Sequence, residues 1–439
     1  MAKKILLIIS LLILSFTMVF ANGEAETKKT VSVVMPRIAV SRGYPDLVHE
    51  YEEMTGTKVE LLMLPEAEYE QKVMLELGSK GSAYDVVWAG LAAAQKYAGE
   101  GWIEQLDPYI HDPSLTDAQK FNFDDFSKGL IGNFTFDGKL YALPSMNATV
   151  LMYYRKDIFE EYGIDEPPKT WAELEEVCKK IDNDETAAIA MRASRARYGV
   201  MWPFPMVAHS FGASFVEDYP NDMHPVVNSP EMIEAISYYR DLLVSYGYPG
   251  ATTGHFSEVV TAFQQGNAAI MIDGAPLVGT VLDPEQSQIL GKVGFAVVPR
   301  GPVALWPPAN GHALTIPVGS KNKEVAWDFI KWALSKETQL KNALDNNETA
   351  MTRNSVVESK EFMEKYDYDN GGYTKALANT FQSLQSYYWP LVPEWREAED
   401  YISVALSNIL TSDIDPKKAL DEANEQVYDI FLRAGYYTE

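Results

Sequence analysis

The sequence predicts an α/β protein, and three observations carry the prediction. From residue 31 onward short apolar strands alternate with amphipathic helices, the rhythm of parallel strands flanked by helices. The length of 439 residues points to two or three domains of ordinary size. A hydrophobic share of 46%, with 12% aromatic residues, supplies enough apolar material for two cores.

Asn22 to Lys29 reads as a polar linker. Val31 to Met35 is the first expected strand, followed by a loop with Arg37, Arg42 and Gly43 and a helix over Asp46 to Thr55 closed by Gly56. Val59 to Leu64, Glu66 to Gly78, Tyr84 to Trp88 and Ala92 to Gly99 continue as strand, helix, strand and helix. Ligands of such sheets sit beyond the carboxyl ends of the strands, which places Met35 to Gly43 and Trp88 to Ala92 at one mouth. Gly138 to Pro144 is a turn with an extended segment, and Val150 to Tyr154 a further strand. Thr170 and Glu173 have capping-box spacing at the start of a helix. Helices follow at Pro230 to Tyr246 and Glu258 to Gln265, then the strand of AFQQGNAAIMIDG. Val293 to Pro299 and His312 to Pro317 are strands, Lys323 to Ser335 an amphipathic helix, and the remainder is helical apart from a turn-rich insert at Tyr366 to Tyr373.

The net charge of −25 argues against nucleic acid, which demands a concentrated basic face, and against an anionic membrane surface. At the N-terminus Lys3 and Lys4 precede an apolar run from Ile5 to Phe20, shorter than the about 20 residues that span a bilayer. This pattern is a secretory signal cut near Ala21. Cys178 is the single cysteine, so no intrachain disulfide forms and no cysteine stands at the cleavage site to take a lipid. The exported chain is expected to be free in a periplasm, with Cys178 buried in a helix over Trp171 to Ile181.

Phosphate-binding and hydrolytic signatures are absent: there is no GxxxxGK[ST], GxGxxG, GxSxG or HExxH. Histidines stand singly at 49, 111, 209, 224, 255 and 312, without metal-ligand spacing. The run from Asp367 to Gly372 suggests a calcium loop, but its twelfth position is Ala378 where a bidentate Glu is needed, so it reads as a surface turn. No metal or cofactor is expected.

The tryptophans divide into two groups. Trp102, Trp171, Trp327 and Trp332 lie in patterns that predict packing. Trp88, Trp202, Trp306, Trp389 and Trp395 fall at strand ends or in Pro-rich loops such as MWPFP, ALWPPANG and SYYWPLVPEW. A flat ring beside amides and carboxylates suits a sugar, whose C–H face it covers while the polar groups take the hydroxyls. Core packing is the competing reading for each ring.

Six segments in order, GKLYALP, LMYYRKDIFEEYGIDEPPKTWAEL, AFQQGNAAIMIDG, VGFAVVPRG, NGHALTIPVGSKNKEVAWDFIKWAL and DPKKALDEANEQV, resemble the extracellular solute-binding proteins of ABC importers, in the sugar-binding branch that includes maltose-binding protein. The resemblance implies two lobes, each a mainly parallel sheet flanked by helices, joined by crossing segments that hinge shut on a solute. It implies a signal peptide over 1–21, a linker over 22–29, a first lobe over 30–147 with a return at 297–332, and a second lobe over 148–296 with a helical remainder at 333–439.

It also implies binding residues. The loop after the third strand puts Trp88, Ala89 and Gly90 on the first-lobe wall, and Asn147 falls near the first crossing. Trp202 matches an aromatic region of the opposite lobe. Asp273, Gly274 and Ala275 end a strand at the cleft, where small residues would admit a close backbone approach. Gly311 and His312 lie beside the cleft, and Arg353, Trp389 and Trp395 match stretches near the ligand in relatives. Arg37 has the mouth location without a motif. The expected function is capture of a sugar, oligosaccharide or polyol by a monomeric carrier, without catalysis, for delivery to a membrane permease. The alternatives are an exported carbohydrate-active enzyme, marked by a carboxylate pair about 5 to 10 Å apart, and a carrier of an anionic solute, marked by cleft arginines.

Overall fold

The structure, a computed structural model, describes residues 29–37, 41, 43–181, 186–196, 198–386 and 388–438. The signal segment, most of the linker, Arg42 and Tyr387 lie outside them. Thirteen strands are numbered in chain order: β1 Thr30–Pro36, β2 Lys58–Leu64, β3 Val86–Gly90, β4 Thr135–Phe136, β5 Lys139–Leu140, β6 Leu143–Asn147, β7 Val150–Arg155, β8 Ala187–Ala190, β9 Val216–Asp218, β10 Asp222–Pro225, β11 Ala268–Gly274, β12 Val293–Ala296 and β13 Gly311–Thr315. The first lobe holds a five-stranded sheet in the order β2-β1-β3-β13-β6, and the second a four-stranded sheet in the order β12-β7-β11-β8.

Alternation of strand and helix produces the parallel pairs β2-β1 and β1-β3, as the sequence predicts. Both sheets are nevertheless mixed. β13 returns from the other lobe and enters the first sheet from the opposite end, so it runs antiparallel to β3 and β6. In the second sheet β7 is antiparallel to β11 and β12, while β11 and β8 are parallel. The crossings, which the strand pattern does not announce, impose these reversals.

Local chemistry sets the helix ends. The helix Tyr44–Thr55 begins with Pro45 in its first turn and stops at Gly56, whose φ of 69° directs its N–H to the Glu52 carbonyl at 2.9 Å. Ser229 caps Pro230–Tyr246 by accepting from the Met232 N–H at 3.2 Å. Thr170 and Glu173 form the reciprocal pair their spacing predicts: the Glu173 N–H donates to Thr170 Oγ1 at 3.1 Å and the Thr170 N–H to Glu173 Oε2 at 3.2 Å. Cys178 is buried in Trp171–Ile181. The Trp171 indole donates to Ser210 Oγ and that of Trp327 to Thr116 Oγ1, each at 2.8 Å, while Trp332 packs on Tyr51 and Trp102 on Tyr97.

Helices Trp395–Thr411 and Pro416–Arg433 pack together and on Pro230–Tyr246 of the second lobe. The helix Lys336–Asn346 packs instead on Tyr44–Thr55 and Lys323–Ala333 of the first. No helix among the described residues is long and apolar enough to cross a membrane.

Candidate functional site

Three crossing segments meet where the lobes join. β6 ends at Asn147, β13 begins at Gly311, and the third runs through Glu348 to Ala350. The Asn147 N–H donates to the Ala350 carbonyl at 3.0 Å and the Ala148 N–H to the Asn310 carbonyl at 2.6 Å. The Ala275 N–H, just past β11, donates to the Thr149 carbonyl at 2.8 Å. A glycine is required at 311, since a Cβ there would lie 1.9 Å from the Met146 carbonyl oxygen.

A cavity of about 90 Å³ lies above this junction. Its first-lobe wall is built from Pro36 at the end of β1, Trp88 and Gly90 at the end of β3, and His312 on β13. The register sets His312 opposite Gly90, and a Cβ at Gly90 would lie 3.0 Å from His312 Cδ2. Edge contacts to Tyr44 at 5.6 Å and to His312 at 5.9 Å hold the Trp88 ring, and Tyr69 Oη donates to the Trp88 carbonyl. Trp88 is 1% exposed, yet its indole N–H has no protein partner. Tyr198 and Trp389 supply the facing wall, and the Trp389 indole N–H is likewise unpartnered. Trp389 leans on Tyr388, whose Oη donates to the Trp202 carbonyl and whose own carbonyl meets His209 Nε2 at 3.0 Å. His209 stacks on Trp306, and burial pushes its pKa down.

Behind the second-lobe wall Arg192 grips Asp273, Nε to Oδ2 at 2.8 Å and Nη2 to Oδ1 at 2.7 Å, while its Nη1 donates to the Tyr198 carbonyl at 3.0 Å. The guanidinium lies between the rings of Trp202 and Phe256, at 5.5 and 5.2 Å. Asp273 Oδ1 also accepts the Trp202 indole N–H at 3.1 Å and the Gly274 N–H at 2.6 Å. An ion pair this enclosed holds the Arg192 guanidinium in place and, through its third hydrogen bond, Tyr198.

The structure thus brings Trp88, Gly90, Gly311, His312 and Trp389 together around the cavity, with Asn147 at its hinge. Asn147 is 2% exposed, and neither end of its amide has a partner. Other expected binding residues are placed differently. Asp273 is engaged by Arg192 and by the Trp202 N–H, which donates to it. The Gly274 and Ala275 carbonyls accept from Tyr153 Oη at 2.8 and 2.9 Å, and a Cβ at Gly274 would meet no protein atom nearer than 3.6 Å. Ala89 is buried opposite Ala313. Trp395 is buried edge-on to Phe215 at 5.0 Å. Arg37 is exposed, with Nη2 on the Met63 carbonyl at 3.2 Å. Arg353 is 2% exposed and donates to the carbonyls of Leu334, Phe121 and Asn122 and to Asp125 Oδ2. Its guanidinium sits 4.0 Å over Phe126. Arg192 went unmarked by the sequence because three arginines of MRASRAR look alike there.

Residues 38–340 match the family of bacterial extracellular solute-binding proteins. The mannitol-binding protein of Pseudomonas aeruginosa is 28% identical over 63% of this chain and 62% of its own length, and the maltotriose-binding protein of Pyrococcus abyssi 30% over 65% and 60%. The chain thus spans less than two thirds of either relative. A ribitol complex of an ABC transporter solute-binding protein from Agrobacterium radiobacter superposes with a TM-score of 0.77 at 24% identity, covering 92% of this chain and 99% of that one. The sugar-binding protein MalE of Xanthomonas citri gives 0.79 at 21% identity, over 92% and 98%. Two lobes, each a sheet flanked by helices and joined by three crossing segments, agree with both the family match and these superpositions: the chain belongs to the bacterial extracellular solute-binding proteins.

Proposed function

We propose that the protein captures a sugar, oligosaccharide or polyol between its lobes and delivers it to the permease of an ABC importer. The observation that carries this reading is one cavity lined by two tryptophans, Trp88 and Trp389, whose buried indole N–H groups have no protein partner. Rings for C–H faces and free donors for hydroxyl oxygens are the needs of a neutral polyhydroxyl compound. Among the described residues lining that cavity there is no lysine or arginine, and Arg192 and Arg353 are engaged with carboxylates, which favours a neutral solute over an anionic one. The names of the relatives, binders of mannitol and maltotriose, point the same way.

On this reading the lobes comprise 30–147 with a return through the Lys336–Asn346 helix, and 148–296 with the C-terminal helices. Ligand binding shifts an open to closed equilibrium, and the permease reads the closed form. The chain acts as an exported monomer, freed of its signal near Ala21, without catalytic turnover. A thermal-shift screen against sugars, polyols and anions tests it: a ligand at 100 times its Kd adds about 2.7 kcal/mol to the folded state. A rise with an anion and none with any carbohydrate would overturn the reading.

A further inference from the structure

We infer that the carboxyl group of Glu348 stands at the floor of the cleft as a ligand-facing acceptor, taking hydroxyl hydrogens of the solute beside the Asn147 amide. This inference rests on the carbohydrate reading above. Glu348 lies on the third crossing segment, two residues before the Ala350 carbonyl that accepts the Asn147 N–H. Its Oε1 accepts the Ala350 N–H at 2.7 Å. The titratable side chains that face it are tyrosines: Tyr44, whose ring edges against Trp88, and Tyr366 and Tyr373 from the segments on the other side. Among the described residues no cation accompanies it, and only the N–H groups of Thr349 and Ala350 offset its burial.

A half-buried carboxylate without a counter-charge is unfavourable to the extent that donors do not reach it. Neighbouring groups are short of partners as well: both ends of the Asn147 amide, and Thr149 Oγ1, are buried and unpartnered. The Asn147 amide, the Thr149 hydroxyl and the Glu348 carboxyl belong to segments whose backbones bond one another or their neighbours at one junction, and adjacent hydroxyls, each donor and acceptor at once, would suit such groups. Burial pushes the Glu348 carboxyl up to about 7, whereas burial keeps the three tyrosines neutral well beyond that pH. Hydroxyl donors stabilise the ionised form, so binding near neutrality expels a proton from this group.

The test begins with D-mannitol, ribitol and maltose in a thermal-shift assay of the full mature chain. If none raises the melting temperature, the carbohydrate reading and this inference fall together. With the tightest of the three, calorimetric titration at pH 7 in phosphate and in Tris counts protons, and release of up to about half a proton per ligand is expected. Affinity should rise about tenfold from pH 5.5 to 8.5 in the wild type, and Glu348→Gln should weaken binding at pH 8.5 about tenfold and flatten that slope. Carbohydrate binding with no proton release, or a Glu348→Gln chain that keeps the wild-type affinity and slope, overturns the inference while leaving the carrier reading intact. Because His312 also lines the cavity, the proton count is repeated on Glu348→Gln, and a variant that releases as many protons as the wild type overturns the inference.

Discussion

Arg192 holds Asp273 by two hydrogen bonds of 2.8 and 2.7 Å, and the same guanidinium takes the Tyr198 carbonyl on the cavity wall. Asp273 is fully buried. Asp273→Asn would leave a guanidinium enclosed without its counter-charge, at an expected cost of about 3 to 5 kcal/mol. Chemical denaturation of the ligand-free chain measures it, and an unchanged midpoint would remove the pair from the framework.

Gly90 has an ordinary extended conformation, so Gly90→Ala adds no backbone strain. Its new methyl would press on His312 Cδ2, at 3.0 Å, and turn that ring within the cavity. The expected result is stability within about 1 kcal/mol of wild type and roughly tenfold weaker carbohydrate binding, read from a melting curve and a calorimetric titration on one preparation. Unaltered affinity would place His312 away from the ligand.

Glu348 also makes a prediction for the empty protein. A carboxyl whose folded pKa is raised from 4.5 to about 7 binds its proton better when folded. Its stabilising effect is complete below about pH 4.5 and is lost as pH climbs through 7. Glu348→Gln, carrying no charge, should therefore be more stable than wild type at pH 8 by up to about 3 kcal/mol, with the difference falling below about 1 kcal/mol near pH 5. A constant difference across that range would show that the carboxyl does not titrate as described.

Arg353 separates structure from binding. Its fork reaches three carbonyls and Asp125, and burial lowers its pKa. Arg353→Lys cannot reproduce that planar set and should cost about 2 to 3 kcal/mol while leaving the carbohydrate Kd unchanged. A Kd shifted with stability intact would return Arg353 to the binding site.

Much of the architecture was written in local pattern. Strand and helix alternation through Gly99, the Thr170–Glu173 cap and the Pro230–Tyr246 helix depend on neighbours within a few residues, and they appear where the sequence puts them. Trp88, Gly90, His312 and Trp389 were legible as candidates because aromatic and small residues at strand ends or in proline-rich loops are unusual, and His312 also falls in a family segment; the fold gathers the four around one cavity. Arg192 and Glu348 were not. Each acquires its importance from a partner far along the chain, Asp273 for one and the Asn147 crossing for the other. The bond between Trp202 and Asp273 was illegible for the same reason, since nothing local shows that the two side chains meet each other. The antiparallel entry of β13 likewise follows from a tertiary crossing that local spacing does not record.

The bonds from Asn147 to Ala350 and from Ala148 to Asn310 run from peptide group to peptide group. Main-chain lacing is indifferent to which side chains its strands carry, apart from the demand for glycine at 311. The bending joint can therefore keep its mechanics while the furnishings around it are exchanged, and a change of cargo need not redesign the pivot.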